Sequence, residues 1–311
     1  MPPRSCSFVI PAYNEASRLT ATLDAISLLT ACHLGQCEII VIDDGSTDDT
    51  AEIARAFSAP HCPVSVHCFP HRGKGFAIRQ GVRAAHGEMV VLCDADLRES
   101  INEVLYLLES LGDGIDIAIG SRWLNPVKID CRQPLFRRVS SRVFNLVAGH
   151  ILALPFKDTQ CGLKTLTREA AYRVFPLLSL DGWGYDLELL HVALALRLRV
   201  EEVDLHLEHD YRDSHFRPIS DGWAAFSELF RIRWNDIRGA YGSRALGQMF
   251  SRVVLTRARN AVSPQRRQAE PRTNGEIAER QIEALQDHTD LCTESQLSKL
   301  NALPSGDELA A

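Results

Sequence analysis

Two acidic clusters each follow a short run of apolar, mostly β-branched residues. Asp43 and Asp44 belong to the motif VIDDGSTDD, and Asp94 and Asp96 belong to VVLCDADL. Runs of this kind predict buried parallel strands, so both clusters are expected at strand carboxyl ends. An open α/β sheet binds its ligand at that edge. The sequence therefore predicts an α/β fold with a ligand site built around carboxylates.

Strand-like runs and helical patterns alternate along the first half of the chain. The predicted strands are Phe8–Pro11, Glu38–Ile42, Val64–Phe69, Met89–Cys93 and Ile115–Ile119, and the predicted helices are Glu15–Leu29, Asp48–Phe57, Gly75–Ala85 and Ile101–Leu111. This alternation is typical of a doubly wound, mainly parallel sheet.

A second block of predicted elements follows. It contains a helical pattern around Pro134–Leu152, an edge strand near Gly162–Thr167, helices at Arg168–Phe175 and Asp186–Leu196, a strand at Val200–Leu207 and a helix at Ile219–Arg238. We expect this block to form the acceptor side of the ligand cleft.

The DAD motif has the chemistry of a metal site. Asp94 and Asp96 flank the small residue Ala95, so both carboxylates can approach one hard divalent cation. Such a cation prefers oxygen ligands and often shares them with substrate phosphates. An aspartate that merely caps the next helix is the alternative, and the predicted place at a sheet edge favours the metal. The pattern indicates an enzyme that handles a metal-bound nucleotide, with Mg²⁺ or Mn²⁺ as cofactor.

Charge and hydropathy exclude several other classes. A net charge of −6 argues against general nucleic-acid binding. The nine cysteines show neither a CxxC pair nor zinc-type spacing, which favours reduced thiols in the cytoplasm. We expect no cleaved secretory segment, because the first predicted strand begins at Phe8. The longest apolar stretch, Phe144–Phe156, falls below the roughly 20 residues that a membrane-spanning helix needs.

The composition changes after Gly242. Residues 243–268 carry six arginines and no acid, with Leu246, Met249, Phe250 and Val253 at helical spacing. Such a basic amphipathic segment predicts peripheral contact with a membrane surface, and a helix packed on the domain with a solvated arginine face is the alternative. Residues 269–311 are acidic and free of aromatic residues, which is typical of a disordered tail.

Seven motifs in order resemble those of the inverting family 2 glycosyltransferases with the GT-A fold, in particular the dolichyl-phosphate glucosyltransferases. They are PAYNE at Pro11–Glu15, VIDDGSTD at Val41–Asp48, RGKG at Arg72–Gly75, DAD at Asp94–Asp96, GSR at Gly120–Arg122, DTQCGLK at Asp158–Lys164 and WGYDLE at Trp183–Glu188. The resemblance implies a GT-A domain at 1–242, with a nucleotide-binding half at 1–120 and an acceptor half at 121–242.

The resemblance also implies a nucleotide-sugar donor, UDP-glucose. The expected donor-site residues are Pro11, Tyr13, Glu15, Asp43, Asp44, Lys74 and Asp94. Asp44 is expected to accept hydrogen bonds from uracil or ribose, and Lys74 to meet anionic oxygens near a helix N-terminus. By the same resemblance Asp96 is the principal metal ligand, and Asp94 supports the sugar or the metal. A Gly-rich turn with a solvated lysine is the alternative for RGKG.

The implied acceptor is a polyprenyl phosphate, which needs a cationic cradle rather than a general base because it is already anionic at neutral pH. The related enzymes hold this phosphate with an arginine and a serine, so Arg122, Arg137 and Ser141 are the expected contacts. Arg137 and Ser141 lie four residues apart, on one face of a predicted helix. A solvated arginine face is the alternative.

Asp158, Asp186 and Glu188 complete the expected catalytic set with Asp96, and the loops that carry these three residues are expected to border the cleft. If the acceptor is a hydroxyl, one of them is the general base. If it is a phosphate, they orient the sugar or stabilise positive charge at its anomeric carbon. A soluble hydroxyl acceptor, a GDP-mannose donor and a nucleotide-sugar-binding regulator without turnover are the alternatives. The expected location is the cytoplasm, with peripheral contact at the inner face of a membrane.

Overall fold

The computed structural model describes residues 5–59, 61–96, 101–112, 114–121, 124, 147–205 and 220–241, with the backbone alone for 220–226. Fourteen elements are described here. They are β1 (Cys6–Ala12), α1 (Leu19–His33), β2 (Cys37–Asp43), α2 (Thr50–Ala56), β3 (Val64–Cys68), α3 (Lys74–Ala84), β4 (Met89–Leu92), α4 (Glu103–Gly112), β5 (Ile117–Ser121), β6 (Lys164–Thr167), α5 (Arg168–Val174), α6 (Tyr185–Ala195), β7 (Val200–Asp204) and α7 (Ser220–Ile237).

The described strands form one sheet in the order β3-β2-β1-β4-β6-β5-β7. Strand β6 runs antiparallel to β4 and β5, and the other pairs are parallel. This confirms the predicted α/β fold with a mainly parallel sheet. The prediction of an edge strand near Gly162–Thr167 is wrong, because β6 pairs on both sides and β7 occupies that edge of the sheet.

Helices cover both faces of the sheet, as a doubly wound fold requires. Side chains alternate between the faces of β1, so Val9 joins one apolar core while Phe8 and Ile10 join the other. Helix α3 contributes Ile78 to the first core, and α1 contributes Leu23 to the second. All five side chains are buried, which fixes the sheet between two layers of helix.

The sheet order brings the predicted acidic clusters to a common edge. Strand β1 lies between β2 and β4 with both pairs parallel, so the carboxyl ends of the three strands are neighbours. Asp44 continues this arrangement beyond β2, where its backbone N–H donates to the carbonyl of Ala12 at 2.9 Å. The turns that follow the three strands therefore meet in one place.

Within the described part of the chain, no helix combines the length and the apolar character that crossing a bilayer requires. The predicted basic segment at 243–268 and the predicted tail at 269–311 lie outside the described residues. The domain boundaries proposed from the sequence therefore stay predictions.

Candidate active site

Asn14 fixes the turn that leaves β1. Its backbone is in the left-handed region, with φ of 56°, which asparagine adopts more readily than most residues. Its side-chain Oδ1 accepts a hydrogen bond from the Thr47 backbone N–H at 2.8 Å, and its own N–H donates to the Ser46 hydroxyl at 2.9 Å. The turns after β1 and β2 are thus joined. We did not predict this role, although an asparagine between a strand end and a helix start was a signal for it.

An aromatic surface lies beside this junction. The exposed ring of Tyr13 stacks on His71, with ring centroids 4.1 Å apart and an interplanar angle of 26°. His71 Nδ1 lies 2.9 Å from a carboxylate oxygen of Asp44. An exposed ring of this kind can stack on a planar nucleobase.

Asp44 anchors the loop that carries the RGKG motif. Its buried carboxylate accepts hydrogen bonds from the backbone N–H groups of Arg72 at 2.9 Å and Gly73 at 2.8 Å. The contact of Asp44 with a base or ribose stays a prediction. The adjacent Asp43 is also buried and accepts from the Ser46 backbone N–H at 3.2 Å. Asp44 therefore fixes the position of the loop that leads into α3, whose first residue is Lys74.

Lys74 places a cation among carboxylates at the start of α3. Its Nζ lies 2.5 Å from Asp94 Oδ1 and 5.2 Å from the ring centre of Trp183. Burial alone favours the neutral amine, but the surrounding carboxylates outweigh it and raise the pKa of Lys74 above its usual range. Asp186 and Asp96 contribute to this effect after Asp94. The Lys74 side chain therefore stays charged, and its contact with the anionic oxygens of a ligand stays a prediction.

Arg18 links two of the predicted site residues. Its guanidinium lies 2.8 Å from Glu15 Oε2 and 3.5 Å from Asp96 Oδ2. Glu15 is also held through its backbone N–H, which donates to the Thr50 hydroxyl at 2.8 Å. Arg18 is not among the residues predicted from the sequence, although its i,i+3 spacing from Glu15 was an available signal.

The carboxylates after β4 fit a divalent cation. Among the described residues there is no group of three or more His, Cys, Asp or Glu side chains that could hold a metal alone. Mg²⁺ commonly takes only one or two carboxylates and completes its shell with phosphate oxygens and water. Asp94 and Asp96 supply that number, and the Lys74 ammonium beside Asp94 shows that this position attracts positive charge. The donor set therefore suits a cation shared with a diphosphate.

Gly162 leaves room for the Asp94 carboxylate. A Cβ at this position would lie 2.3 Å from Asp94 Oδ2, closer than any van der Waals contact. We expect Gly162→Ala to displace this flexible carboxylate, leave the fold intact and weaken Mn²⁺ binding about ten- to a hundredfold. Calorimetric titration with Mn²⁺ in the presence of UDP measures this effect. Gly149→Ala is the control, because the nearest atom there is 3.4 Å away, and equal affinity in both variants would contradict the expectation.

Two further predicted residues are buried behind this edge. Asp186 pairs with Lys164, whose Nζ lies 2.5 Å from Asp186 Oδ1 and also donates to the Cys161 carbonyl. Asp158 is fully buried, and its Oδ1 accepts from the Gln160 backbone N–H at 3.3 Å. Burial and pairing suit carboxylates that orient neighbouring groups.

The expectation that Glu188 borders the cleft is corrected by the structure. The Glu188 side chain is fully buried, and both of its oxygens accept hydrogen bonds inside the fold. One accepts from the backbone N–H groups of Ser179 and Leu180, each at 2.9 Å, and the other from the Ser179 hydroxyl and the Tyr241 hydroxyl at 2.8 and 2.7 Å. Glu188 therefore supports the 179–184 loop.

Asp181 fastens that loop to the RGKG motif. Its carboxylate accepts from the Arg72 guanidinium at 2.7 Å and from Arg79, and its carbonyl accepts from the Phe76 backbone N–H at 3.2 Å. Gly73, with φ of 121°, passes so close that an added Cβ would lie 2.5 Å from the Asp181 carbonyl oxygen. The 179–184 loop and the RGKG loop are thus packed against each other beside Lys74.

The pH dependence of stability should reflect this ion pair. Burial tends to raise the pKa of Asp181, but Arg79 and Arg72 outweigh it and hold the pKa below the usual range. The stabilisation is therefore present near neutral pH and is lost as the pH falls below about 4. We expect Asp181→Asn to lower the free energy of unfolding by about 1 kcal/mol near neutral pH, since the group is partly exposed.

Urea denaturation of Asp181→Asn and wild type measures this effect. Between neutral pH and a pH well below about 4 the difference should shrink towards zero, because the wild-type carboxylate is then also protonated. Asp24→Asn, at an exposed position of α1, should match wild type at both pH values. A difference of the same size at both pH values would show that the ion pair is not its cause.

The three predicted acceptor contacts, Arg122, Arg137 and Ser141, lie outside the described residues. Their roles stay predictions. The described donor-side residues meet along the edge formed by β2, β1 and β4, through the contacts given above. Pro11 is half-buried within β1, one residue before the strand ends at Ala12.

Comparison with known proteins finds glycosyltransferases both among family models and among individual relatives. Residues 7–175 match the model of "Glycosyl transferase family 2". The dolichyl-phosphate beta-glucosyltransferase of Mus musculus is 34% identical over 254 residues, which cover 77% of this chain and 78% of that enzyme. The enzyme of the same name from Saccharomyces cerevisiae is 30% identical over 258 residues, with 76% of each chain covered.

Solved structures agree on the fold. The glucosyl-3-phosphoglycerate synthase of M. tuberculosis superposes with a TM-score of 0.55 at 25% identity, covering 74% of this chain and 81% of that one. A crystal structure of that synthase in complex with Mn²⁺, UDP-glucose and phosphoglyceric acid gives a TM-score of 0.55 at 24% identity over 78% and 82% of the two chains. These neighbours have the GT-A fold.

Proposed function

The chain belongs to glycosyltransferase family 2, and on that premise we propose that it transfers glucose from UDP-glucose to a polyprenyl phosphate with inversion at the anomeric carbon. The observation that carries this proposal is the contact of Lys74 with Asp94 of the DAD motif at the carboxyl edge of the sheet. Relatives at 30% identity or more, covering three quarters of this chain, are dolichyl-phosphate beta-glucosyltransferases, which supports glucose and a lipid phosphate as substrates.

The donor binds along the edge formed by the turns after β1, β2 and β4. The exposed Tyr13 ring, stacked on His71, accepts the face of the uracil, and Asp44 accepts a hydrogen bond from the base or ribose. Lys74, at the start of α3, meets the diphosphate. The Lys74 cation then stabilises the negative charge that develops on the leaving UDP.

Asp96 and Asp94 would hold Mg²⁺ or Mn²⁺ against the diphosphate. When bound, the ion supplies Lewis-acid stabilisation of the leaving group. Arg18 keeps Asp96 in place through its contact at 3.5 Å, and the glycine at position 162 leaves space for the Asp94 carboxylate. Lys74 keeps its own contact with Asp94. The Lys74 ammonium group and the carboxylates of Asp94 and Asp96 therefore form one charged cluster.

A phosphate acceptor agrees with the burial of Asp158 and Asp186, the other two carboxylates of the proposed catalytic set. A polyprenyl phosphate is anionic at neutral pH, so its oxygen attacks the anomeric carbon without a general base. A sugar hydroxyl would need such a base within reach of its proton. Asp186 is buried and paired with Lys164 at 2.5 Å, which suits orientation of the glucose rather than proton transfer. We expect Arg122, Arg137 and Ser141 to hold the acceptor phosphate.

A two-phase assay tests the proposal. Purified protein is incubated with Mn²⁺, a detergent-solubilised polyprenyl phosphate and radiolabelled UDP-glucose, with GDP-mannose in parallel. We expect label in the organic phase from UDP-glucose alone, and loss of transfer when EDTA removes the metal. The configuration of the product, determined by NMR, tests inversion. Label that stays in water would reject the lipid acceptor, and label from GDP-mannose alone would reject the donor.

A further inference from the structure

Helix α7 exposes an apolar stripe that the described part of the chain does not cover. Phe230, Trp234 and Ile237 are 64%, 54% and 58% exposed. Their spacing of four and three residues places them on one face of the helix. The opposite face packs into the core through Leu229 and Ile232, which are fully buried. Large apolar side chains that are clustered on a surface mark an interaction site more often than isolated ones do.

Positive charge surrounds this stripe. Arg231 and Arg233 line the same open surface depression as the three apolar side chains, and the Arg238 guanidinium lies 4.5 Å from the ring centre of Trp234. Aromatic residues beside arginines suit a boundary between apolar and aqueous phases, because the arginine stem packs on apolar surface while its head stays in water.

The acidic residues in this part of α7 point into the protein. Glu228 accepts from the Gly184 backbone N–H at 2.8 Å, and Asp236 is buried, with Arg233 at 3.1 Å. Along the described side chains of 227–241, the exposed charge is therefore basic. A basic, apolar helix face is complementary to a membrane surface that carries anionic headgroups.

The helix is also tied to the candidate active site. Besides the bond from Gly184 to Glu228, Asn235 Nδ2 donates to the Ser179 hydroxyl at 3.2 Å. The 179–184 loop held in this way is the one that Asp181 fastens to Arg72, two residues before Lys74. A surface that contacts α7 would therefore lie at a fixed place relative to the donor site.

We propose that α7 docks this protein on an anionic lipid bilayer, with Phe230, Trp234 and Ile237 entering the headgroup region. The inference rests on the proposed function, because a lipid acceptor requires the active site to meet a bilayer. A second copy of the chain is the other candidate occupant. A symmetric contact through this face would bring the arginines of both copies together, and such like-charge contacts are unfavourable.

Vesicle flotation tests the proposal with the full chain. Vesicles contain phosphatidylcholine alone or phosphatidylcholine with phosphatidylglycerol, and wild type is compared with the triple variant F230S/W234S/I237S. We expect wild type to float with the phosphatidylglycerol vesicles, and the triple variant to bind them at least about tenfold more weakly. Tyr172→Ser is the matched control, because this aromatic residue on α5 is 54% exposed and should not alter flotation.

Several results would overturn the proposal. One is equal flotation of wild type and triple variant, which would assign membrane contact to another segment such as 243–268. Another is the absence of wild-type binding to both kinds of vesicle. A third is a wild-type dimer in lipid-free sedimentation that the triple variant loses, which would make the stripe a contact between copies.

Failure of the docking surface can be distinguished from failure of the proposed function. With a short-chain, water-soluble polyprenyl phosphate the triple variant should keep the wild-type turnover rate. With the acceptor in vesicles its turnover rate should fall about tenfold. A loss with both acceptors would contradict a docking role. If wild type uses neither acceptor but still floats, the proposed function fails and the docking surface stands.

Discussion

Asp96→Asn is expected to reduce glucosyl transfer about a thousandfold while leaving the fold intact. The substitution keeps the shape of the side chain and removes its charge. The Asp96 side chain is 13% exposed at the edge where the diphosphate is expected, with Arg18 at 3.5 Å. A neutral amide binds a hard divalent cation more weakly than a carboxylate does, so the leaving UDP loses part of its charge stabilisation.

Initial rates at saturating donor and Mn²⁺ measure this loss. Asp24→Asn is the matched control, since it makes the same change at an exposed position of α1 and should keep the wild-type rate. Circular dichroism and the urea midpoint check that both variants are folded. A rate for Asp96→Asn within about tenfold of wild type would remove Asp96 from the set of metal ligands.

The sheet edge was predictable because the signals for it are local. Apolar runs before Asp43 and Asp94 indicated buried parallel strands, and the structure confirms both strands and their adjacency to β1. The place of β6 was not predictable in the same way. Its four residues pair with β4 and β5, far away in sequence, and a short run carries no local information about its neighbours.

Prediction of the candidate site had the same limit, because contacts between side chains that are distant in sequence carry no local signal. The apolar runs placed Asp44 and Asp94 after strand ends, but they did not predict that Asp44 would hold the 72–73 backbone or that Lys74 would contact Asp94. The error on Glu188 was avoidable. Residues two apart on a helix point to different sides, so Asp186 and Glu188 on α6 could not both face the cleft.

Lys164→Met is expected to destabilise the protein by about 3 kcal/mol. Lys164 and Asp186 have side chains only 1% and 4% exposed, with Nζ and Oδ1 2.5 Å apart. Removing one partner leaves a buried carboxylate without its main counter-charge, which typically costs about 3–5 kcal/mol. Lys74 lies near enough to act electrostatically with Asp186, so the lower end of that range applies. Urea denaturation should show a lower midpoint at an unchanged slope.

The double variant Lys164→Met with Asp186→Leu separates charge from packing. If the unpaired charge causes the loss, replacing both partners by apolar side chains should recover most of the stability, because neither ion then has to be buried. Catalysis should not recover, since the double variant lacks the carboxylate proposed to orient glucose. A double variant as unstable as Lys164→Met alone would assign the cost to lost packing or to the Cys161 carbonyl, which Lys164 also binds. A stable and active double variant would instead exclude Asp186 from the reaction and make Asp158 the next member of the predicted catalytic set to test.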